Sequence, residues 1–536
     1  MKKKILVVVI AICMLLTFVC GCNPGDGYDP NRTQIFVSVY SGGYGHAWIE
    51  TLATEFNASQ EEFEVVIKTN KDLSDRIIPA LQAGTSEYDL YLTSNMPIND
   101  LIGMELAADI SDVYDKDVDG NGTTIRQKIK DQEFLTAYSD EAGKIYMVPF
   151  ADSLAGFIYD HDLFMEKGLY NYQADGVTLT VGKDGVAGTY DDGQPTNLTE
   201  WQDMIDRIAV LGIEPFIVTG QFKNEYTQPI FEAAWAQYDG PSQYDLIYTY
   251  NGTYTAPSTG VQTTITPATG YLTMDMEGKM KSLEFLKTYL ADLSYQHPAI
   301  ESTSYSHEDT QGLFITGYQK ASANPESALL CDGVWWENEA RNYFNNLSNM
   351  GVTDRGFGKR EYRFMLLPAF DGQKGIDGTG KGSVLATNDH SNMFVKAQSD
   401  ADRVRGAKDF LAYTLTDEAL RMCTSTTGAI RPFKYQLSSE ELANVTPFVK
   451  NALALYNDTD NIAIVRPIIS HQKTPLNYIA GVDKLSTKIG SDPQTINTLT
   501  VLLSYSAQQY FDGAKTVYNA TTWASLYDSV RSKYEG

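Results

Sequence analysis

Residues 34–92 alternate between two hydrophobic periods, and this alternation limits the fold more than any other feature of the chain. Gln34-Ile35-Phe36-Val37-Ser38-Val39-Tyr40 is β-branched and aromatic, and Ser41-Gly42-Gly43-Tyr44-Gly45 breaks the run. Ile49, Leu52, Ala53 and Phe56 then recur at helical spacing. Phe63, Val65 and Ile67 alternate as a strand, a second helix is predicted through Ile77 to Leu81, and Tyr88-Asp89-Leu90-Tyr91-Leu92 reads as a third strand. Strands separated by helices pair in parallel, because the connection must cross over the sheet. In open sheets of this kind ligands bind at the carboxyl ends of strands, which points to the Ser41 to His46 loop and the Thr93-Ser94-Asn95 loop.

The alternation continues. Residues 144–150 and 156–159 are predicted strands. Thr199-Glu200-Trp201-Gln202 reads as a capping box opening a helix with the apolar face Trp201, Met204, Ile205 and Ile208. Glu214 to Val218 is a strand, and the Tyr/Thr-rich stretch 238–271 is expected to form a hairpin turning at Asn251-Gly252. A helix is expected over 280–293, strands near 363–367 and 384–387, and mainly helix beyond Ser399. At 536 residues the chain exceeds what one hydrophobic core supports, so at least two lobes are expected.

The N-terminus sets the compartment. Lys2, Lys3 and Lys4 precede an apolar run from Ile5 to Leu16, too short for the ~20 residues of a membrane-spanning helix, and this reads as a secretory signal. Val19-Cys20-Gly21-Cys22 resembles a bacterial lipobox, which would make Cys22 the lipidated first residue after a signal peptide of residues 1–21. Two acyl chains suffice for stable anchoring. Residues 22–33 would then form a polar leash. The formal net charge of −26 becomes three units more negative once the three lysines are removed. So acidic a chain is a poor binder of nucleic acid, whose backbone needs clustered Lys and Arg. Cys331 and Cys423 could pair outside the cell, although their spacing does not imply it.

Catalytic signatures are scarce. Gly375 to Lys381 nearly copies a phosphate loop, but Gly382 stands where Ser or Thr would hold magnesium, which favours a glycine-rich surface turn. Asp115, Asp117, Asp119 and Asn121 reproduce the first half of a calcium loop, with Arg126 where the bidentate Glu belongs. A second acidic, glycine-rich stretch covers 183–193. Either could hold a structural Ca²⁺, and solvated polar turns are the plainer reading. Trp335-Trp336 is flanked by Asp332, Glu337 and Glu339. Aromatic faces stack on sugar rings while carboxylates accept hydroxyl protons, so this set suits a sugar pocket and also a glycosidase cleft. Since adjacent strand residues point to opposite faces, one of the two tryptophans is expected in the core.

Taken in order, these stretches resemble the bacterial extracellular solute-binding proteins, family 1. The matching segments are the lipobox, Ser41-Gly42-Gly43, Leu81-Gln82-Ala83-Gly84, Leu106 to Ser111, Tyr146 to Phe150, Ile158 to Phe164, Gly212 to Phe216, Asp332 to Glu337 and Gly428-Ala429-Ile430-Arg431-Pro432. Coverage runs from about residue 33 to 435. The resemblance implies a two-lobed α/β fold of the periplasmic-binding-protein kind with a hinge. One lobe would comprise 34–150 with about 366–415, the other 151–365 with about 416–536. It implies a non-enzymatic, monomeric carbohydrate receptor that needs no cofactor and delivers its ligand to an ABC permease. Ser41, Gly42 and Tyr44 would line one wall, Asn95 and Asp152 the hinge, and Trp335, Trp336 and Glu337 the opposite wall. Trp235, Asn388 and Arg431 are further candidates. The alternatives are a surface-anchored polysaccharide hydrolase and a receptor for a non-sugar solute such as a peptide.

Overall fold

The computed structural model describes residues 28–40, 42–70, 74–94, 96–317, 325–467 and 498–534. The signal segment, Cys22, most of the leash, Ser41 and Asn95 lie outside the described residues.

The opening alternation folds as its periods require. Strand β1 (Thr33–Tyr40) pairs in parallel with β2 (Phe63–Asn70) and with β3 (Leu90–Ser94). Helix α1 (Ala47–Ser59) and helix α2 (Ser74–Gln82) form the crossovers. The predicted stripe Ile49, Leu52, Ala53 and Phe56 is buried, with Trp48 beside it. This first core also takes Val148, Phe150, Met393, Phe394 and Val395.

The two strands expected at 144–150 and 156–159 are one, β4 (Val148–Asp160), buried along its whole length. Helix α3 (Leu198–Val210) buries the predicted Trp201, Met204, Ile205 and Ile208 face. Its cap is Asn197 rather than Thr199: the Asn197 side chain accepts the Glu200 amide, and the Glu200 carboxylate takes the amide and hydroxyl of Thr196. Strand β5 (Glu214–Ile217), helix α4 (Lys223–Asp239), helix α5 (His307–Thr316), strand β6 (Ser327–Gly333), the short helix α6 (Trp336–Glu339) and strand β7 (Tyr362–Met365) follow. The hairpin in 238–271 is present, but its strands are Gly252–Thr255 and Gln262–Ile265. Gly252 therefore begins a strand, and the turn falls near Gly260, whose φ is +71°. Gly375 to Lys381 is a turn leading into strand β8 (Ser383–Val395), not a loop opening a helix. Helix α7 (Ala401–Tyr413), helix α8 (Asp417–Thr427), helix α9 (Pro447–Asn457) and strand β9 (Ile462–Val465) complete the frame.

Nine strands form one sheet in the order β2-β1-β3-β8-β4-β6-β5, with β9 added to β8 and β7 to β4. Beyond the first core, alternate residues serve opposite faces. Phe157, Tyr159, Leu329 and Cys331 enter one hydrophobic cluster, and Ile158 and Leu330 enter another. The molecule is thus an α/β protein with a first lobe on one end of the β4–β8 pair and a second on the other. Leu367, Phe370, Val384 and Ala386 pack in the second lobe, and Leu420, Cys423 and Phe433 in the first. Strand β8 thus contributes to both clusters, and α8 packs on α1. Cys331 and Cys423 are buried, unpaired thiols in different cores.

Candidate functional site

The two lobes meet where β4 and β8 cross between them. Their antiparallel register jumps between Thr387 and Asp389 and again between Ser391 and Asn392. Asn388 is therefore the extra residue of a bulge, the usual device for bending a strand. Just beyond the bulge the register pairs Asp152, 2% exposed, with His390. A buried carboxylate must be paired, and here it is fully spent. Arg466 grips it with Nε to Oδ1 at 2.8 Å and a second guanidinium nitrogen to Oδ2 at 2.8 Å, and the Tyr456 hydroxyl donates to Oδ2 at 2.7 Å. Arg466 also reaches Asp131 at 2.7 Å, tying the strand after α9 to the first lobe. Asp152, expected to touch ligand, is thus a strut of the hinge.

The first wall is the loop after β1. The Gly45 amide donates to the Gly42 carbonyl at 2.7 Å, and Gly45 takes φ of +66°, which turns the chain into α1. Tyr44 packs against clusters of both lobes and lies 3.3 Å from the Ser153 hydroxyl. A methyl group added at Gly43 would sit 2.7 Å from Trp335 Cβ, and one at Gly42 would sit 2.4 Å from the Tyr40 ring. Gly43 is therefore where one lobe's backbone approaches the other, while Gly42 is crowded by its own lobe's Tyr40.

The second wall is built of side chains. Strand β6 ends at Asp332-Gly333, and the chain turns so that Trp335 stands against Gly43 while Trp336 points inward. A side chain at Gly333 would run into the Trp335 ring at 2.1 Å. The Asn338 amide donates to the Gly43 carbonyl at 2.8 Å across the lobe boundary. The Tyr226 ring meets Trp335 edge-on at 6.3 Å and stacks on His307 at 5.7 Å. The Gln311 amide donates to Asp332 at 3.0 Å and to Glu339 at 2.8 Å. Burial and the nearby charge of Glu339 push the Asp332 carboxyl up to about 8. At His307 burial opposes the charged ring, but the Glu339 hydrogen bond and the surrounding carboxylates prevail and the pKa rises. An aromatic edge beside amides and carboxylates can stack a ring and accept its hydroxyl protons.

Of the residues expected at the site, Gly42 and Tyr44 lie on the first wall, Trp335 is 8% exposed in a core cluster against the neighbouring Gly43, and Asn388 is half-buried on the crossing strand. Trp336 has no exposed surface and packs among Phe314, Phe344, Tyr362 and Phe448. Glu337 is turned the same way; its carboxylate takes the Thr446 hydroxyl at 2.5 Å, and burial raises it to about 7. Trp235 is no stacking platform: it is fully buried, its ring nitrogen donating to Asp239 at 2.9 Å. Arg431 is fully buried beneath the first wall, its guanidinium 4.9 Å from the Phe150 ring. The calcium-like loop does not gather its oxygens. Asp115 pairs with Arg126, Asp119 with Lys128, Asp117 takes the amides of Asn121 and Gly122, and Asn121 takes that of Thr123. In the second acidic stretch Asp191 accepts the amides of Lys183 and Asp184. Tyr226, His307, Gln311 and Asn338 escaped sequence reading. Asn338 alone left a signal, three residues beyond Trp335 on the same helical turn.

Two α/β lobes bridged by crossing strands, with a glycine loop facing an aromatic, hydrogen-bonding wall, define a bilobal solute receptor. The family model for the bacterial extracellular solute-binding proteins matches residues 51–451, and the chain belongs to that family. No curated protein matches the sequence. Among solved structures, the chain is similar to a chitin oligosaccharide binding protein, at 12% identity over 93% of this chain and 100% of that one, with a TM-score of 0.58. It is similar to the binding protein RafE in complex with raffinose, at 12% identity over 92% and 100%, TM-score 0.56. Maltose-bound MalE3 of T. maritima is 14% identical over 91% and 99%, TM-score 0.55. No helix among the described residues is long and apolar enough to cross a membrane.

Proposed function

We propose that the protein is a lipid-anchored carbohydrate receptor that captures its ligand between the two walls and presents it to an ABC importer. The observation that carries this reading is Trp335, an aromatic ring on the second lobe set directly against the glycine loop of the first, with Tyr226, Asn338 and Glu339 beside it. A sugar offers what that wall accepts: an apolar ring face and hydroxyl donors. Binding to both walls favours the closed arrangement, and only a ligand with differential affinity for that arrangement can shift the population. The carbohydrate ligands of the similar structures support the same class. In this reading Cys22 carries the lipid, the protein acts as a monomer without a cofactor, and Asn388 adds a contact near the hinge. The first lobe comprises 34–150 with 391–433, and the second 151–390 with 434–467 and 498–534.

The protein is not an enzyme in this account. Asp332 and Glu337 are buried, and Glu339 is held by Gln311 and His307. A thermal-shift screen of mono- and oligosaccharides tests the proposal, since a ligand that binds only the folded state raises the melting temperature with concentration. Saturable stabilisation by a sugar without release of reducing ends is expected. Turnover of the sugar would favour the hydrolase, and stabilisation by peptides alone would favour the non-sugar receptor.

A further inference from the structure

His307 and Glu308 open helix α5, and Glu339 closes the short helix α6. One ligand atom from each lies within 4.8 Å of the other two. His307 Nε2 is 3.3 Å from Glu339 Oε1. Gln311, with no exposed surface, extends its amide to this cluster and donates to Glu339 Oε2 at 2.8 Å. Its own Oε1 has no partner, and neither does the buried Nδ1 of His307. The cluster is also braced, the imidazole by its stack on Tyr226 and by Phe222 at 5.6 Å, and Glu339 by Gln311. Hydrogen-bonded support of this kind is what orients metal ligands. One imidazole nitrogen with two carboxylates suits zinc and its first-row neighbours, whereas calcium and magnesium favour all-oxygen shells.

We propose that His307, Glu308 and Glu339 bind a divalent first-row transition ion, zinc being the best match, at the edge of the second wall. The site goes beyond the carbohydrate reading and does not depend on it. Three protein ligands leave a coordination position open, and the adjoining Tyr226 and Trp335 put that position beside the cleft.

The test is calorimetric titration of the full chain with zinc chloride in a non-chelating buffer without carbohydrate, repeated with cobalt(II) chloride and read by visible absorption. One equivalent of zinc and a cobalt ligand-field band are expected. Both should weaken at least about tenfold in His307→Ala and Glu339→Gln. Glu308 is exposed, so Glu308→Lys leaves the core untouched and should abolish binding even if the other two variants fail to fold. Absence of saturable zinc binding overturns the proposal. So does binding that persists in Glu308→Lys, which would put the ion elsewhere, for example on the N-terminal cysteines.

Discussion

The two walls that face each other across the lobe boundary are made in opposite ways. One is backbone: Gly42 and Gly43 lie where no side chain fits, and only Tyr44 projects. The other is side chain: Trp335, Tyr226, His307, Asn338 and Glu339 converge from three separate helices and a strand end. The first wall fixes how closely the lobes approach, while the second has the rings, amides and carboxylates that can tell one solute from another. In the proposed reading, recognition is concentrated on one lobe and closure on the other.

The comparison breaks first if the frame under both walls gives way. Asp152 sits on β4, next to the Ser153 that meets Tyr44, and Asp152→Ala leaves Arg466 buried without its main partner. A loss of about 3–5 kcal/mol in unfolding free energy is expected by chemical denaturation. Next comes the pH dependence that belongs to the second lobe. Asp239 accepts hydrogen bonds from Trp235, Tyr254 and the Gly278 amide, but burial dominates and raises its carboxyl to about 7. The folded state thus keeps a proton that the unfolded chain releases near pH 4. Its contribution is complete below that pH and is lost as pH climbs through 7. Stability should fall over that window by on the order of a few kcal/mol, and Asp239→Asn should flatten the slope without changing ligand affinity.

A smaller effect sharpens the role of the first wall. Gly43→Val drives a side chain into Trp335, holds the lobes apart and should weaken binding of the best stabilising sugar about tenfold, or ~1.4 kcal/mol, by calorimetry. Unfolding of the ligand-free protein should barely change. The smallest effect is at the polar bridge: Asn338→Ala removes one partly buried hydrogen bond to the Gly43 carbonyl and should cost ~1 kcal/mol or less in affinity. If Asn338→Ala cost more than Gly43→Val, the division of labour between the walls would be reversed.

The parts of this molecule that were legible in sequence are those specified locally. Ile49, Leu52, Ala53 and Phe56 declare a buried helix face by spacing alone, and the β-branched runs around them declare parallel strands. Strand β4 reads as two strands in the sequence because Asp152-Ser153 interrupts its apolar run. The residue that neutralises that interruption is Arg466, more than three hundred positions away. Alternation puts one ring of the tryptophan pair in the core, yet both enter one core cluster, Trp336 with no exposed surface and Trp335 with 8%, because β6 stops at Gly333 and the chain turns into α6. Trp235 and Arg431 look like binding residues by type; Trp235 is consumed by Asp239, whereas Arg431 lies buried among the rings around Phe150 with no hydrogen-bond partner on its guanidinium among the described residues. Tyr226, His307 and Gln311 meet only because α4 and α5 pack beside β6, a convergence no local spacing records.

The central claim, that a carbohydrate is held against the second wall by an aromatic face, rests on Trp335. Its most direct test is calorimetric titration of the most stabilising oligosaccharide into the wild type and Trp335→Ala, with circular dichroism to establish that both fold. The account predicts a single site whose affinity drops about 30-fold or more, ~2 kcal/mol, when the ring is removed. Unchanged affinity in Trp335→Ala would contradict it.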